Sequence, residues 1–229
     1  MGDFSLLDLA AVAVFLTAWI GYSVAVERLS GSGGSLNRMM NRYRHAWAEQ
    51  LELRENRVVD TTINASLQNG TAFFASTSLI ALGSVLTLTR SADDVLTLFG
   101  TLPFGTQTTR TTWEFKVAGL ALLFVYAFFK FAWAYRLFNY GAILIGAVPP
   151  RGSDEETIRR AARRAARMNV VAGAHFNRGQ RAWFFALAYL GWFVSPYVLF
   201  VTTLAVVYVM WQRQFASEAC RALQEPDDD

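Results

Sequence analysis

Residues 117–148 read VAGLALLFVYAFFKFAWAYRLFNYGAILIGAV and contain neither Asp nor Glu. A helix needs about 20 apolar residues to cross the roughly 30 Å hydrocarbon core of a bilayer, and this run exceeds that length. Three further runs without a carboxylate lie at 9–26, 63–89 and 182–210. The chain is 53% hydrophobic and 17% charged, whereas soluble domains carry about 25% charged residues. The sequence therefore predicts an all-α integral membrane protein built as a four-transmembrane-helix bundle.

The segments around these runs complete the predicted organisation. We expect spans at about 6–27, 62–89, 115–137 and 182–210, all within one membrane domain covering residues 1–229. Segments 36–57 and 154–178 repeat apolar residues with a helical period and are predicted to be cytoplasmic amphipathic helices, the first lying on the leaflet surface. Residues 212–229 are predicted to form a C-terminal tail. The apolar stretch 137–149 either continues the third helix or lies in the membrane interface.

The distribution of arginine orients the predicted spans. Lys and Arg residues that flank membrane spans are retained in the cytoplasm. The connections after the first and third runs are rich in Arg, whereas the connection after the second run holds only Arg90 and Arg110, with Lys116 at its edge. With four crossings, this pattern predicts a multi-pass protein of the bacterial inner (cytoplasmic) membrane with both termini in the periplasm.

The second run carries a narrow polar stripe. Its members recur at helical spacing and are Asn64, Gln68, Thr71, Ala75 and Ser78. A polar stripe on a membrane helix either packs on another helix or lines water, and small or polar residues are ordinary contacts between membrane helices. The stripe is therefore predicted to face protein or a pore rather than lipid.

A basic pocket is predicted at the inner end of the spans. Lys130 and Arg136 interrupt the third run, and the simplest interpretation makes them interfacial anchors whose charges reach the headgroups. The same topology places several amides and further basic groups, including Arg181, near that depth, which favours a site for a carboxylate, a phosphate or a lipid headgroup. The candidate ligand- or lipid-binding residues are Asn64, Gln68, Asn69, Lys130, Arg136, Asn139, His175, Asn177 and Arg178.

A second candidate is a lipid-headgroup face on the helix predicted at 154–178. It is formed by Arg160, Arg163, Arg164 and Arg167. A basic residue near an anionic membrane surface contributes about 1 kcal/mol to binding. The alternative interpretation is a solvated face that reflects only the retention of positive charge in the cytoplasm.

Patterns typical of enzymes and metal sites are missing from the sequence. It has no Gly-rich phosphate loop with Lys and only two histidines, His45 and His175, far apart. The runs carry no carboxylate, which disfavours a proton-coupled carrier and a cation pore lined by acidic rings. Cys220, as the single cysteine, cannot form an internal disulfide. We therefore expect no catalytic residues, no metal and no cofactor, and no nucleic-acid partner because aromatic residues do not interleave with the arginines.

Several motifs occur in order along the chain. They read RVVD at 57–60, NGTAFFAS at 69–76, FKFAW at 129–133, FNY at 138–140 and HFNRGQR at 175–181. With these motifs the chain resembles, over about residues 5–215, the domain of unknown function 599 family of multi-pass bacterial inner-membrane proteins. The resemblance implies a membrane protein without an established activity, and it supplies no catalytic residues.

The sequence thus predicts a non-enzymatic, homo-oligomeric inner-membrane protein with a channel-like, transport or lipid-associated role. Its predicted partners are membrane lipids, mainly anionic ones, together with further copies of itself or a membrane complex. Two alternatives stay open. One is an accessory subunit of a larger membrane complex, and the other is a membrane enzyme acting on a lipid-linked or phosphorylated substrate.

Overall fold

A computed structural model describes residues 4–29, 34–90 and 109–223. Within these ranges the chain forms eight helices and no strand: α1 Leu6–Leu29, α2 Leu36–Leu53, α3 Val58–Arg90, α4 Arg110–Gly146, α5 Glu155–Tyr189, α6 Gly191–Val194, α7 Pro196–Phe215 and α8 Glu218–Ala222. Four segments are long and apolar enough to cross a membrane: Leu6–Leu29, Val58–Leu88, Arg110–Gly146 and Pro196–Ala222. The predicted all-α class and the number of candidate spans are confirmed.

Helices α4 and α5 form a long antiparallel hairpin. Helix α4 continues unbroken to Gly146, so residues 137–146 extend the third span instead of turning into the interface. After the turn, the Asp154 side chain accepts a hydrogen bond from the backbone N–H of Thr157 and caps α5. The two helices of the hairpin approach closely, and the ring of Phe131 on α4 lies directly against the backbone of Gly179 on α5.

Helix α3 packs antiparallel on another face of α4. The Asn64 amide donates to the carbonyl oxygen of Phe138 at 2.9 Å, and Trp113 Nε1 donates to the carbonyl oxygen of Leu88 at 3.3 Å. Three members of the predicted polar stripe, Asn64, Thr71 and Ser78, are at most 1% exposed. The prediction that this stripe faces protein is confirmed, and its partner is a helix of the same chain.

The structure differs from the prediction at residues 182–210. Helix α5 ends at Tyr189, Ser195 is extended with φ −166° and ψ 160°, and Pro196 begins α7. A proline has no backbone N–H and disfavours a helical conformation in the residue before it, so one helix cannot run through this point. The chain reverses, and the Thr202 hydroxyl on α7 donates to the carbonyl oxygen of Ala188 at 2.8 Å.

The helix predicted at 154–178 is likewise not a separate element. No helix-breaking residue follows it before Tyr189, so residues 155–189 form the single helix α5. In the predicted tail, α7 extends to Phe215 and the short helix α8 follows, while 224–229 lie outside the described residues.

The reversal at Pro196 places the two ends of the described chain at opposite ends of the bundle. Near the start, Asp8 accepts a hydrogen bond from Trp192 Nε1 at 2.8 Å. Near the finish, the Cys220 thiol lies 3.4 Å from the carbonyl oxygen of Gly34, just before α2. The prediction that both termini lie on one side is therefore wrong for the described residues, because α5 and α7 run in opposite directions where one span was predicted. We call the end of the bundle where Asp8 bonds to Trp192 the Trp192 end. The opposite end, where α1 finishes close to Glu27, is called the Glu27 end.

Helix α2 packs along α5 between Ala162 and Asn177. Asn177 Nδ2 donates to Asn37 Oδ1 at 3.0 Å, and the Arg44 guanidinium lies against Gly173. Further along, two apolar side chains of α2 pack on the alanine face of α5: Ala48 and Leu51 on Ala162, Ala165 and Ala166. The apolar face of this helix is covered by α5, and its predicted position on the leaflet surface stays a prediction.

The apolar layer of the bundle has the thickness of a membrane core. Asp8 and Glu27, at opposite ends of α1, are about 28 Å apart at 1.5 Å per residue, which matches the roughly 30 Å of hydrocarbon in a bilayer. In the middle of this layer lies the last third of α5, where Ala182 and Phe185 are 0% exposed. The Phe185 ring packs edge-on against Phe15 of α1 with 5.7 Å between centroids. Helix α5 is thus shielded by the more apolar helices around it.

Candidate functional site

A polar cavity of about 300 Å³ opens at the Glu27 end between α1, α2, α5 and α7. Its apolar wall includes Val26, Phe184 and Met210. Its polar lining combines two guanidinium groups with amides and hydroxyls: Tyr22, Asn37, Asn177, Gln180, Arg181, Arg213, Gln214 and Ser217. We call it the Arg181 cavity.

Two buried donors of this lining have no acceptor among the described residues. Arg181 is 6% exposed, and while its Nη2 donates to Glu27 Oε1 at 3.0 Å, its Nε is unpartnered. The side-chain nitrogen of Gln214 is also buried and unpartnered. Buried polar groups in proteins are nearly always hydrogen-bonded, to protein, water or a ligand. The wall of the cavity therefore holds two donors whose hydrogen-bonding capacity is unmet among the described residues.

The charges around the Arg181 cavity are unbalanced. Glu27 Oε1 accepts hydrogen bonds from both Arg178, at 2.8 Å, and Arg181. Arg213 is exposed and stacks over the ring of Phe184 at 5.6 Å. Within the described residues, Arg178 and Arg181 share the Glu27 carboxylate and Arg213 forms no ion pair, so these named groups carry more positive than negative charge. Guanidinium groups bind carboxylates and phosphates through paired N–H donors, so the cavity favours an anionic ligand.

The predicted basic pocket is divided among separate places in the structure. Asn177 and Arg178 belong to the Arg181 cavity and its rim. Gln68 and Asn139 instead bond to each other between α3 and α4, with Gln68 Nε2 2.7 Å from Asn139 Oδ1. Asn64 bonds to the α4 backbone on the same face as Gln68, and Asn69 is exposed on α3. Asn64, Gln68 and Asn139 serve the α3–α4 contact, and their hydrogen bonds among the described residues do not involve the arginines.

Lys130, His175 and Arg136 lie on an aromatic surface of α4 and α5. The Lys130 ammonium sits 5.1 Å from the centre of the Tyr126 ring, and the ring of His175 lies 6.5 Å from that of Trp133. Arg136 is exposed, stacks on Trp133 and donates to the Tyr140 hydroxyl at 2.6 Å. Amphipathic aromatic rings mixed with basic groups are typical of a membrane–water interface, which agrees with the interpretation of Lys130 and Arg136 as anchors.

The predicted lipid-headgroup face lies far from the Arg181 level. Its members, Arg160, Arg163, Arg164 and Arg167, are exposed on the first half of α5, between about 20 and 30 Å along the helix from Arg181. Two of them line a cleft with carboxylates of α2, since Arg163 and Arg167 face Glu49 and Glu52 there. This placement favours the alternative, a solvated basic face beyond the membrane layer.

The sequence reasoning missed Tyr22, Gln180, Arg213 and Gln214 as site residues. Arg213 follows the apolar part of α7 and reaches Arg181 only because the chain reverses at Pro196. A Ser-Pro pair inside a long apolar run is a helix-break signal, because Ser195 caps α7 and Pro196 occupies its first turn. That signal would have placed Arg213 at the same end as Arg178.

A second polar cluster joins the connections beyond the Glu27 end. Asp60 is 0% exposed and accepts hydrogen bonds from Trp47 Nε1 at 2.6 Å and Arg54 Nη1 at 2.8 Å. Arg57 donates to the carbonyl oxygens of Val148 and of Pro149. These contacts connect α2 and α3 to the turn between α4 and α5, so we assign the cluster a structural role.

Comparison with known proteins gives one match. A family described as "Protein of unknown function, DUF599" matches residues 10–219. No curated protein and no solved structure matches.

Proposed function

This chain belongs to the DUF599 family of proteins of unknown function, and from that premise we propose that it is a non-enzymatic, multi-pass inner-membrane protein that binds an anion in the Arg181 cavity. The observation that carries the proposal is the buried Arg181 with an unpartnered Nε. A cation buried without full compensation is costly, and a bound phosphate or carboxylate supplies both the charge and the acceptor. The homo-oligomer and the channel-like or transport role stay predictions.

We further propose that the Glu27 end faces the cytoplasm. The arginines of α2 and of the first half of α5 lie at or beyond this end, and α7 and α8 add Arg213 and Arg221. Asp8 marks the opposite end. Positive residues beside spans are retained inside, so the N-terminal side of the chain is periplasmic and the C-terminal side is cytoplasmic.

Labelling of single cysteines tests this topology. In a Cys220→Ser background, Ser5→Cys is expected to react with a membrane-impermeant thiol reagent in intact cells, because Ser5 is exposed at the Trp192 end. Glu55→Cys and Glu218→Cys are expected to react only after permeabilisation. Labelling of Glu218→Cys but not Glu55→Cys in intact cells would contradict the reversal at Pro196. Labelling of both without Ser5→Cys would invert the orientation.

Stabilisation by phosphate tests the anion site. Inorganic phosphate is expected to raise the melting temperature of the delipidated, detergent-solubilised protein above its value in chloride at equal ionic strength, because a ligand that binds only the folded state stabilises it. Arg213→Gln is expected to weaken phosphate binding about tenfold, as hydrogen bonds to charged groups contribute about 1.5–3 kcal/mol. Arg213 is exposed, so the variant keeps its fold.

The matched control is Arg164→Gln. Arg164 is an exposed arginine on the basic face of α5, remote from the cavity, so this variant is expected to respond to phosphate like the wild type. An equal response to phosphate and chloride in the wild type, or an equal phosphate response in Arg213→Gln and Arg164→Gln, would remove the proposal.

A further inference from the structure

An apolar groove of about 540 Å³ lies on the membrane-facing surface between α1 and α7. Small residues of α1, including Thr17 and Gly21, form one side, and Leu204 and Trp211 of α7 form the other. Gly21 leaves open space, since no atom lies within 4 Å of the position that a Cβ would take. The groove is therefore a concavity in the apolar layer, wide enough to receive a flexible chain.

The groove ends at the Arg181 cavity. Tyr22 lines both, and Trp211 of the groove is two residues before Arg213 of the cavity. Along α1 the groove extends from Ala13 to Ala25, about 18 Å at 1.5 Å per residue. That is close to half of the roughly 30 Å hydrocarbon core, which is the depth of one leaflet.

We propose that the anion bound at the Arg181 cavity is the headgroup of a single anionic phospholipid whose acyl chain occupies the groove between α1 and α7. The inference rests on the proposed function and names the ligand of that site. The phospholipid comes from the leaflet at the Glu27 end, because the cationic cavity lies at that end of the groove.

Charge decides between this occupant and a partner helix. Lipid tails are as apolar as leucine side chains, so filling the groove with either one gains little hydrophobic free energy. An occupant with an anionic group at the groove end offsets the excess positive charge and offers acceptor oxygens beside Arg181 and Gln214, whereas an apolar helix face offers neither. An anionic phospholipid combines that group and a chain of leaflet length in one molecule.

Native mass spectrometry of the delipidated protein tests this inference with two probes of equal chain length, phosphatidylglycerol and phosphatidylcholine. The wild type is expected to retain one phosphatidylglycerol in preference to phosphatidylcholine. Gly21→Leu adds a side chain to the groove wall at a position where an added Cβ meets no atom within 4 Å, and it is expected to lower phosphatidylglycerol retention about tenfold, equivalent to about 1.4 kcal/mol. The matched control is Gly83→Leu on α3, where an added Cβ also meets nothing within 4 Å, and it is expected to retain the lipid like the wild type.

The phosphate measurement separates the proposed anion site from the proposed site for the acyl chain. If Gly21→Leu loses the lipid but is still stabilised by inorganic phosphate, both the headgroup site and the chain site are supported. Equal retention of phosphatidylglycerol in Gly21→Leu and Gly83→Leu, or equal retention of both lipids by the wild type, overturns the inference and leaves the anion site standing. Loss of phosphate stabilisation in the wild type itself removes the proposed function and this inference together.

Discussion

Gly179→Leu is expected to destabilise the membrane bundle strongly. A Cβ added at Gly179 would lie 2.8 Å from Cε1 of the Phe131 ring and 2.9 Å from two further ring carbons. Phe131 is 0% exposed and is itself held between Phe74 and Phe176, with ring centroids 5.3 and 5.6 Å away. The ring cannot retreat, and inserting extra carbons into a packed core costs typically 1–3 kcal/mol and sometimes more. For a whole leucine side chain we expect a loss at or above the upper end of this range, about 3 kcal/mol.

The loss is measured as the shift in the unfolding midpoint during titration of the detergent-solubilised protein with sodium dodecyl sulfate. Gly83→Leu serves as the control because its added side chain points into open space, and it is expected to change stability by less than about 0.5 kcal/mol. A Gly179→Leu protein that unfolds at the wild-type midpoint would show that α4 and α5 are not in close contact there.

Lys116→Met is expected to lower the free energy of unfolding by about 1.5–3 kcal/mol, the usual contribution of a hydrogen bond to a charged group. Lys116 is 2% exposed, and its ammonium donates to the carbonyl oxygen of Trp192 at 2.9 Å while lying 5.1 Å from the centre of the Trp192 ring. Trp192 is in turn bonded to Asp8. Methionine preserves the volume but leaves a buried carbonyl at the α5–α7 reversal without a donor.

Lys130→Met is the matched control, since it makes the same change on the same helix. Lys130 is half-buried over the Tyr126 ring, an interaction that contributes about 0.5–1 kcal/mol at exposed sites. Thermal unfolding in detergent should therefore separate the two variants clearly. Equal losses of stability would mean that Lys116 acts only as another interfacial anchor.

Local patterns in the sequence were sufficient for much of the fold. The first three candidate spans follow from the length of carboxylate-free runs, and the buried face of α3 follows from the helical recurrence of Asn64, Thr71 and Ser78. Both are properties of a single helix in an apolar environment. They do not depend on which helices become neighbours.

The path of the chain near Pro196 could not be read from hydropathy. Residues 182–210 stay apolar on both sides of the break, so a window average does not distinguish one span from a reversal. Hydropathy also misjudges the second half of α5, because Arg178 and Arg181 are typical of an aqueous segment although this half lies within the bundle. The burial of Arg181 and the pairing of Arg178 depend on Glu27 and on the neighbouring helices, which are tertiary partners.

The sequence predicted those members of the candidate site that lie close together along the chain. Asn177 and Arg178 occur in one motif and do lie at the Arg181 cavity. Arg213 and Gln214 come from another helix and meet them through the reversal. Lys130 and Asn64 share a similar depth in the prediction, but they point from different faces of the bundle. Depth along the membrane normal therefore carried less information than the direction of each side chain.

The central position of α5 constrains how the protein is made. Arg178 and Arg181 directly precede the apolar third of α5 and lie at the Glu27 end of the apolar layer, where their charges pair with Glu27. The Glu27 carboxylate that compensates both arginines is on α1, which leaves the ribosome long before them. The carboxylate that pairs with these arginines is therefore already synthesised when α5 and then α7 follow in the chain.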